Sequence, residues 1–261
     1  MMKKRPFTLS IAGFDPSGGA GLISDCKTFE ALKCQGFAVC TAQTIQNDTD
    51  FSKCYWTDST IIMEQIEILY KRFSIDVVKI GIIPNWETLL AIVTLLKQKN
   101  PEVKIIVDPV LKATAGFDFH TENTLSKKVI LSVLEHIYIL TPNYPELEIL
   151  SKIIGYTPST DPDLKNTFDL LTEFTNIYLK GGHHPKTKGK DVLFTKEGRH
   201  YTINPKHQKV TDKHGSGCVL SSALAAYIAQ GYPLLKSVYK TKRFTERYLG
   251  SSSSLLGNFR F

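Results

Sequence analysis

The feature that most constrains this chain is an alternation that becomes regular in its middle. Short β-branched stretches at 77–80, 104–107, 137–140 and 177–179 read as strands. Between and around them, 86–98, 122–134, 145–151 and 164–174 carry apolar residues at helical spacing. Strands separated by whole helices pair in parallel, and a parallel sheet needs helices on both faces to cover it. An α/β fold with a mainly parallel sheet between two helical layers is therefore expected.

The flanks extend the same pattern. Residues 7–12 read as a strand and 13–21 as a glycine-rich turn, after which Leu22, Cys26, Phe29 and Leu32 recur at helical spacing. A second strand over 37–44 leads into the polar loop Gln46-Asn47-Asp48, and 59–73 reads as a helix with Ile62, Ile66, Leu69 and Phe73 on one face. Late in the chain, 191–194 and 199–203 are joined through Glu197-Gly198 as a β-hairpin. Helices are expected after Cys218, stopping at Gly231, and over 234–249, with a loop at Ser251 to Ser254. No linker or repeat divides the chain, so residues 1–261 are expected to form a single domain.

Composition excludes several classes. With 42% hydrophobic and 22% charged residues, the chain has the make-up of an ordinary globular protein. No apolar run approaches a membrane span, and the basic start is too short and glycine-broken for a signal peptide, which points to the cytoplasm. The net charge of +7 raises nucleic-acid binding, yet the lysines are scattered among acids. The densest patches, Lys186, Lys188 and Lys190, then Lys236, Lys240, Lys242 and Arg243, read as solvated faces, and no DNA-binding spacing occurs. Five cysteines, an odd number without a CxxC pair, argue for free thiols rather than disulfides or zinc.

In open parallel sheets ligands gather outside the carboxyl ends of the strands. Polar punctuation stands at those ends here: Asp15 with its glycines, Lys79-Ile80-Gly81, Asp108-Pro109, Thr141-Pro142-Asn143 and Lys180-Gly181-Gly182. The first glycine turn is neither a dinucleotide fingerprint nor a P-loop. Phosphates would have to be held elsewhere, and His214-Gly215-Ser216-Gly217 feeding a helix aims backbone N–H groups at an anion. Cys218 in that first turn is where a thiolate is favoured. The plain alternative is a loop that merely turns the chain, with Cys218 as a small hydrophobe. Asp108 and Glu146 are candidate magnesium ligands, or equally a turn former and a helix-start carboxylate.

Taken in order, Ile11-Ala12-Gly13, Asp15-Pro16-Ser17-Gly18-Gly19-Ala20-Gly21, Asp25 with Lys27-Thr28-Phe29, Gln46-Asn47, Asp108-Pro109-Val110, Thr141-Pro142-Asn143, Lys180-Gly181-Gly182-His183 and His214-Gly215-Ser216-Gly217-Cys218 resemble a known family. It is that of the hydroxymethylpyrimidine/phosphomethylpyrimidine kinases of thiamine biosynthesis, within the ribokinase-like superfamily. The resemblance implies a three-layer α/β/α fold without a large lid, a homodimer, and ATP with Mg²⁺. It also implies two successive phosphorylations, of 4-amino-5-hydroxymethyl-2-methylpyrimidine and of its monophosphate. On matching motifs Ala20, Asp25 and Gln46, with Ile82 packing nearby, would line the pyrimidine pocket. Asp108, Asn143 and Glu146 would be linked to magnesium. Lys180, Thr141, His183 and the Gly215–Gly217 loop would hold the nucleotide. The N–H groups of Ser216, Gly217 and Cys218 would stabilise developing charge, and Cys218 would orient or deprotonate the acceptor hydroxyl.

The chain departs from the family's habit at Ile82 (usually Met), Ser216 (usually Thr), Cys26 (usually Leu), Asp48 (usually Thr) and 112–116, which reads Lys-Ala-Thr-Ala-Gly. These departures leave kinase chemistry in place and keep a pyridoxal kinase open as the alternative. A non-catalytic binder on the same scaffold is a third reading. The adjacent His183 and His184 lack a third ligand at useful spacing, so no zinc is expected.

Overall fold

The computed structural model describes residues 5–111, 126–156, 161–182, 188–206 and 210–259, with the side chains of 161–165 excepted. Its elements run β1 (Phe7–Phe14), α1 (Gly21–Ala31), β2 (Gln35–Gln46), β3 (Phe51–Trp56), α2 (Ser59–Tyr70), β4 (Val77–Ile80), α3 (Trp86–Lys99), β5 (Lys104–Val107), α4 (Lys127–His136), β6 (Ile139–Leu140), α5 (Tyr144–Ile154), α6 (Asp161–Phe174), β7 (Asn176–Leu179), β8 (Asp191–Phe194), β9 (His200–Ile203), α7 (Ser216–Ala229) and α8 (Leu234–Leu249). One sheet takes the order β3-β2-β1-β4-β5-β6-β7-β8-β9. The six strands from β2 to β7 in that order are parallel, and antiparallel β3 at one edge and β8–β9 at the other complete it.

Alternation along the strands builds the layers. Val78 and Ile80 of β4, with Ile105 and Val107 of β5, pack on Ile62 and Ile66 of α2, Ile92 of α3, Val133 of α4, Leu147 of α5 and Leu171 of α6. Val77 and Ile106 point the other way, onto Phe29 of α1, Leu224 of α7 and Val238 of α8. The three-layer α/β/α arrangement thus follows from a two-residue period inside strands that are apolar throughout. Local signals place the helix starts: Asp58 accepts from the Thr60 N–H, Asn85 from the Thr88 N–H, and Asn143 and Glu146 form a reciprocal capping box.

The structure departs from the expected elements in a few places. Residues after Gln46 make a tight turn, in which the Asn47 side chain accepts from the N–H groups of Thr49 and Asp50, and then the edge strand β3. The helix expected over 59–73 stops at Tyr70, where the N–H groups of Lys71 and Phe73 still bond to Glu67 and Leu69. The helix after Cys218 stops at Ala229, short of Gly231. The helix expected over 122–134 is described only from Lys127, and the Lys112 to Gly116 segment, His183, His184 and Lys186 lie outside the described residues. Of the basic patch on α8, Lys242 is not solvated: it donates to the Gly189 carbonyl at 2.6 Å and pairs with Asp191 at 3.0 Å. No described helix is long and apolar enough to cross a membrane.

One charged side chain stands inside this core. Lys79, mid-strand in β4, is fully buried and pairs with the equally buried Asp25 of α1 at 2.8 Å. Removing one partner of such a pair leaves a desolvated charge without compensation. Lys79→Met is expected to lower the unfolding free energy by about 3–5 kcal/mol, measured by urea denaturation. A loss under about 1 kcal/mol would show that the pair is not what holds β4 to α1.

Candidate active site

The two glycine turns that stand 190-odd positions apart in sequence are pressed together in space. Gly215, in the left-handed region at φ 70°, caps the start of α7, and a Cβ there would lie 2.1 Å from the Gly19 carbonyl oxygen and 2.7 Å from Ala20 Cα. Only glycine allows both that backbone turn and that approach. Gly21, at φ 57°, sits as close to the Gly13 carbonyl, 2.2 Å from where its own Cβ would stand. Asp15 ties the turns: it accepts from the Ser17 and Ala20 N–H groups at 2.9 and 2.8 Å and meets His214 Nε2 at 2.9 Å. Burial works to raise the Asp15 carboxyl, but His214, Ala20 and Ser17 hold it below the usual carboxylate range.

At the mouth of α7 two backbone donors are left over. The Ser216 N–H bonds back to the Lys213 carbonyl at 3.3 Å, whereas those of Gly217 and Cys218 have no acceptor among the described residues. Orphan donors at the positive end of a 14-residue helix are groups suited to an anion. The expected third donor, Ser216, is taken.

Gly217 faces the second group of charges. A Cβ on it would stand 3.6 Å from Lys180 Nζ and 3.7 Å from Asp108 Oδ2. Lys180, just past β7, pairs with Asp108 at 2.6 Å and with Glu146 at 3.6 Å. Asp108, just past β5, also accepts from Ser221 at 3.1 Å and from Thr141 at 3.4 Å. Burial works to raise Asp108, yet Lys180 and Lys79 keep it low. Glu146 is pushed up to about 7 by burial, against Lys180 and with Asp108 adding to the rise. Two carboxylates thus share one lysine, and the set carries an excess negative charge.

Sequence-predicted residues divide accordingly. Asp108, Thr141, Asn143, Glu146, Lys180 and Gly215 to Cys218 converge at the carboxyl ends of β5, β6 and β7. Asn143 and Lys180 bridge directly as backbone. Ala20 is the residue before α1, with its N–H on Asp15. Ile82 follows β4, its Cδ1 2.3 Å from where a Cβ on Gly13 would be, and its carbonyl accepts from Thr41 at 2.7 Å. Gln46 ends β2, half-buried, with Nε2 on Thr44 Oγ1 at 2.7 Å. His183 lies outside the described residues.

Asp25, expected to line the pyrimidine pocket, is enclosed among protein groups, with Oδ1 accepting from Ser222 at 2.6 Å and Oδ2 from Lys79 and Ser10. Three of the roughly four acceptor positions of its carboxylate are thereby taken, and one on Oδ1 is left. For Cys218, expected to be partly ionised, the surroundings pull the other way. Burial pushes the thiol up to about 11, and although Lys79 and the Gly21 N–H favour the thiolate, Asp25 and Asp108 disfavour it. Proximity to a helix start is outweighed by loss of water and two nearby carboxylates.

Sequence reasoning placed Lys79 among the strand-end groups without its pairing to Asp25, and missed Ser222 as a structural member of the site and Ser221 as an Asp108 partner. A lysine inside the apolar strand VVKI was the available signal for the first. Ser221 and Ser222, one turn after Gly217 and Cys218, were the signal for the others.

Cys218 is expected to react slowly with iodoacetamide at neutral pH, with a rate that keeps rising through pH 10, as followed by mass spectrometry of the labelled peptide. A rate already level by about pH 8 would contradict a protonated thiol.

With this geometry in hand, comparison with known proteins identifies relatives. The family model described as phosphomethylpyrimidine kinase matches residues 15–258. A thiamine biosynthesis bifunctional protein of Geobacter sulfurreducens is 31% identical over 252 residues, which cover 93% of this chain and 49% of that protein. The chain therefore spans about half the length of that relative. The crystal structure of a phosphomethylpyrimidine kinase from Clostridium difficile 630 is 31% identical, covers 94% of this chain and 98% of its own, and superposes with a TM-score of 0.74. A pyridoxal kinase from Staphylococcus aureus, solved with AMP-PCP, shares the fold at a TM-score of 0.81 and 21% identity, over 97% of this chain and 92% of its own.

Proposed function

The chain belongs to the phosphomethylpyrimidine kinase family, and from that premise we propose that it transfers the γ-phosphoryl group of ATP to 4-amino-5-hydroxymethyl-2-methylpyrimidine and then to the resulting monophosphate. The observation that carries this reading is the meeting of two free helix-start N–H groups, Gly217 and Cys218, with the Lys180 ammonium across a glycine that leaves room between them. Phosphoryl transfer needs positioning and charge neutralisation more than covalent help, and this arrangement offers both.

In each transfer the acceptor oxygen bonds to phosphorus as the bond to the ADP oxygen breaks; in the first, the hydroxyl proton passes to solvent water, and in the second the attacking oxygen belongs to the phosphate monoester. Lys180 balances charge on the phosphoryl oxygens, and the two backbone donors hold those oxygens in line. A loose transition state asks little of a base. A protonated Cys218 therefore suffices to orient the hydroxyl. Gln46 meets the edge of the heterocycle, with Ala20 and Ile82 as neighbours, and Thr141 lies on the nucleotide side, to which the family's motif also assigns His183. The acidic set fits Mg²⁺: Asp108 and Glu146 are hard oxygen donors with one lysine between them, and the raised Glu146 marks charge that a cation would offset. Those two residues, with Asn143 beside them, would hold the ion, which supplies further charge neutralisation at the phosphates.

We assign residues 1–261 to one kinase domain acting in the cytoplasm, paired as a homodimer. Exposed Ile45, Tyr55 and Trp56 on the β2–β3 edge support pairing with a second copy.

ATP consumption measured with the pyrimidine, its monophosphate and pyridoxal tests the proposal, with turnover expected for both pyrimidines. Turnover of pyridoxal alone would assign the site to the other vitamin kinase. Lys180→Met is expected to lower kcat by about 10²–10³-fold in the same assay. A kcat within threefold or so of the parent would remove Lys180 from the transfer step.

A further inference from the structure

We infer that Thr44 sets substrate selectivity by fixing which end of the Gln46 amide faces the heterocycle, an inference that rests on the aminopyrimidine reading above. Thr44, on β2, is 2% exposed, and its hydroxyl has a single proton to give. That proton goes to the carbonyl of Phe14, the last residue of β1, at 2.8 Å. The hydroxyl oxygen is left as an acceptor, and Gln46 Nε2 donates to it at 2.7 Å. Positions 44 and 46 share one side of the strand, so the contact is built into its pleat.

The amide cannot turn over without cost. Reversed, Gln46 Oε1 would face the Thr44 oxygen, and either two acceptors would oppose each other or the Phe14 carbonyl would lose its donor. Gln46 is half-buried at the end of β2, where the pairing with β3 shifts register between Ile45 and Gln46. The extra residue there is Ser52 of β3, so β2 keeps the alternation that puts Thr44 and Gln46 on one side. Held by Thr44, the amide turns Oε1 outward, an acceptor with no donor among the described residues, with the second Nε2 hydrogen as a donor beside it.

A ligand edge against Gln46 Oε1 must therefore donate. An exocyclic amino group does so, and a carbonyl at the same ring position sets two acceptors together. Thr44 acts through Gln46, so it is a positioning residue, and its effect is a selectivity rather than a rate.

The test compares kcat/KM for 4-amino-5-hydroxymethyl-2-methylpyrimidine with that for its 4-oxo counterpart, in which the amino group is a carbonyl and the adjacent ring nitrogen carries hydrogen. The unsubstituted protein is expected to favour the amino compound by about a hundredfold or more. Thr44→Val keeps the shape but removes the acceptor, and the preference should fall by at least about tenfold, through a higher KM for the amino compound with kcat little changed. Thr44→Ser keeps the hydroxyl and should keep the preference. A purely structural role would depress both compounds alike and leave the ratio intact. An unchanged ratio in Thr44→Val overturns the inference. So does equal use of the two compounds by the unsubstituted protein, a measurement that needs no variant to fold. Failure of the unsubstituted protein to phosphorylate the amino compound at all would overturn the functional reading, and this inference with it.

Discussion

The carboxylate of Asp25 is the point on which the rest of the site depends. It accepts hydrogen bonds from Ser10 of β1, Lys79 of β4 and Ser222 of α7 while itself standing on α1. Four elements that are distant in sequence are thereby locked in one register. Such a pair adds little net stability over an apolar replacement, because both charges lose their water. What it provides is direction: a hydrophobic contact between α7 and the sheet would tolerate sliding, whereas a carboxylate oxygen with a hydroxyl at 2.6 Å does not. Since Ser222 lies one turn after Cys218, fixing Ser222 fixes the mouth of the helix.

A second buried ionic group, Lys180 with Asp108 and Glu146, stands on the far side of that mouth. The two groups sense each other, because Lys79 lowers Asp108 and Asp108 supports the charge on Lys79 against burial. Cys218 lies between them, exposed to the fields of both. Its position near a helix start argues for a thiolate, and its surroundings argue for a thiol. Desolvation and two carboxylates favour the thiol over the thiolate, against one helix end and one ammonium.

Much of the fold was legible because strand interiors and helix faces are local patterns. The strands 77–80 and 104–107 and the helix 234–249 stand where their periodicity puts them. The strand Phe51–Trp56 was hidden by the polar run before it, which reads as a loop until the Asn47 side chain is seen to close it into a turn joining two strands. In the site, the polar residues at strand ends were legible as a cluster because the topology of a parallel sheet brings those ends to one edge. Whether a given carboxylate faces ligand or core was not. Asp25 belongs to a motif beside a glycine turn, and nothing local records that Ser222, 197 positions later, will occupy its free oxygen. The surroundings of Cys218 were hidden for the same reason: the rule for helix starts is local, but which charges stand near a thiol is a property of the whole fold.

The loop before α7 is held from three directions, which bears on how it can act. From the front, Gly19 and Ala20 stand against Gly215. From behind, Ser222 is on Asp25. From the side of the C-terminal residues, the Leu255 carbonyl accepts from the His214 N–H at 3.0 Å, and Tyr248 donates to the His214 carbonyl at 3.4 Å. Lys213, nearly buried, caps the carbonyls of Ser252 and Ser254, each at 2.7 Å, so its charge serves the loop's anchorage rather than an anion. Flexible glycine loops ordinarily lose entropy when they close on a phosphate. This one has its shape set by neighbours before any ligand arrives, so its glycines serve close approach rather than mobility. The donors of Gly217 and Cys218 then need no reorganisation at the moment charge develops, and that is the condition under which two backbone N–H groups are most effective.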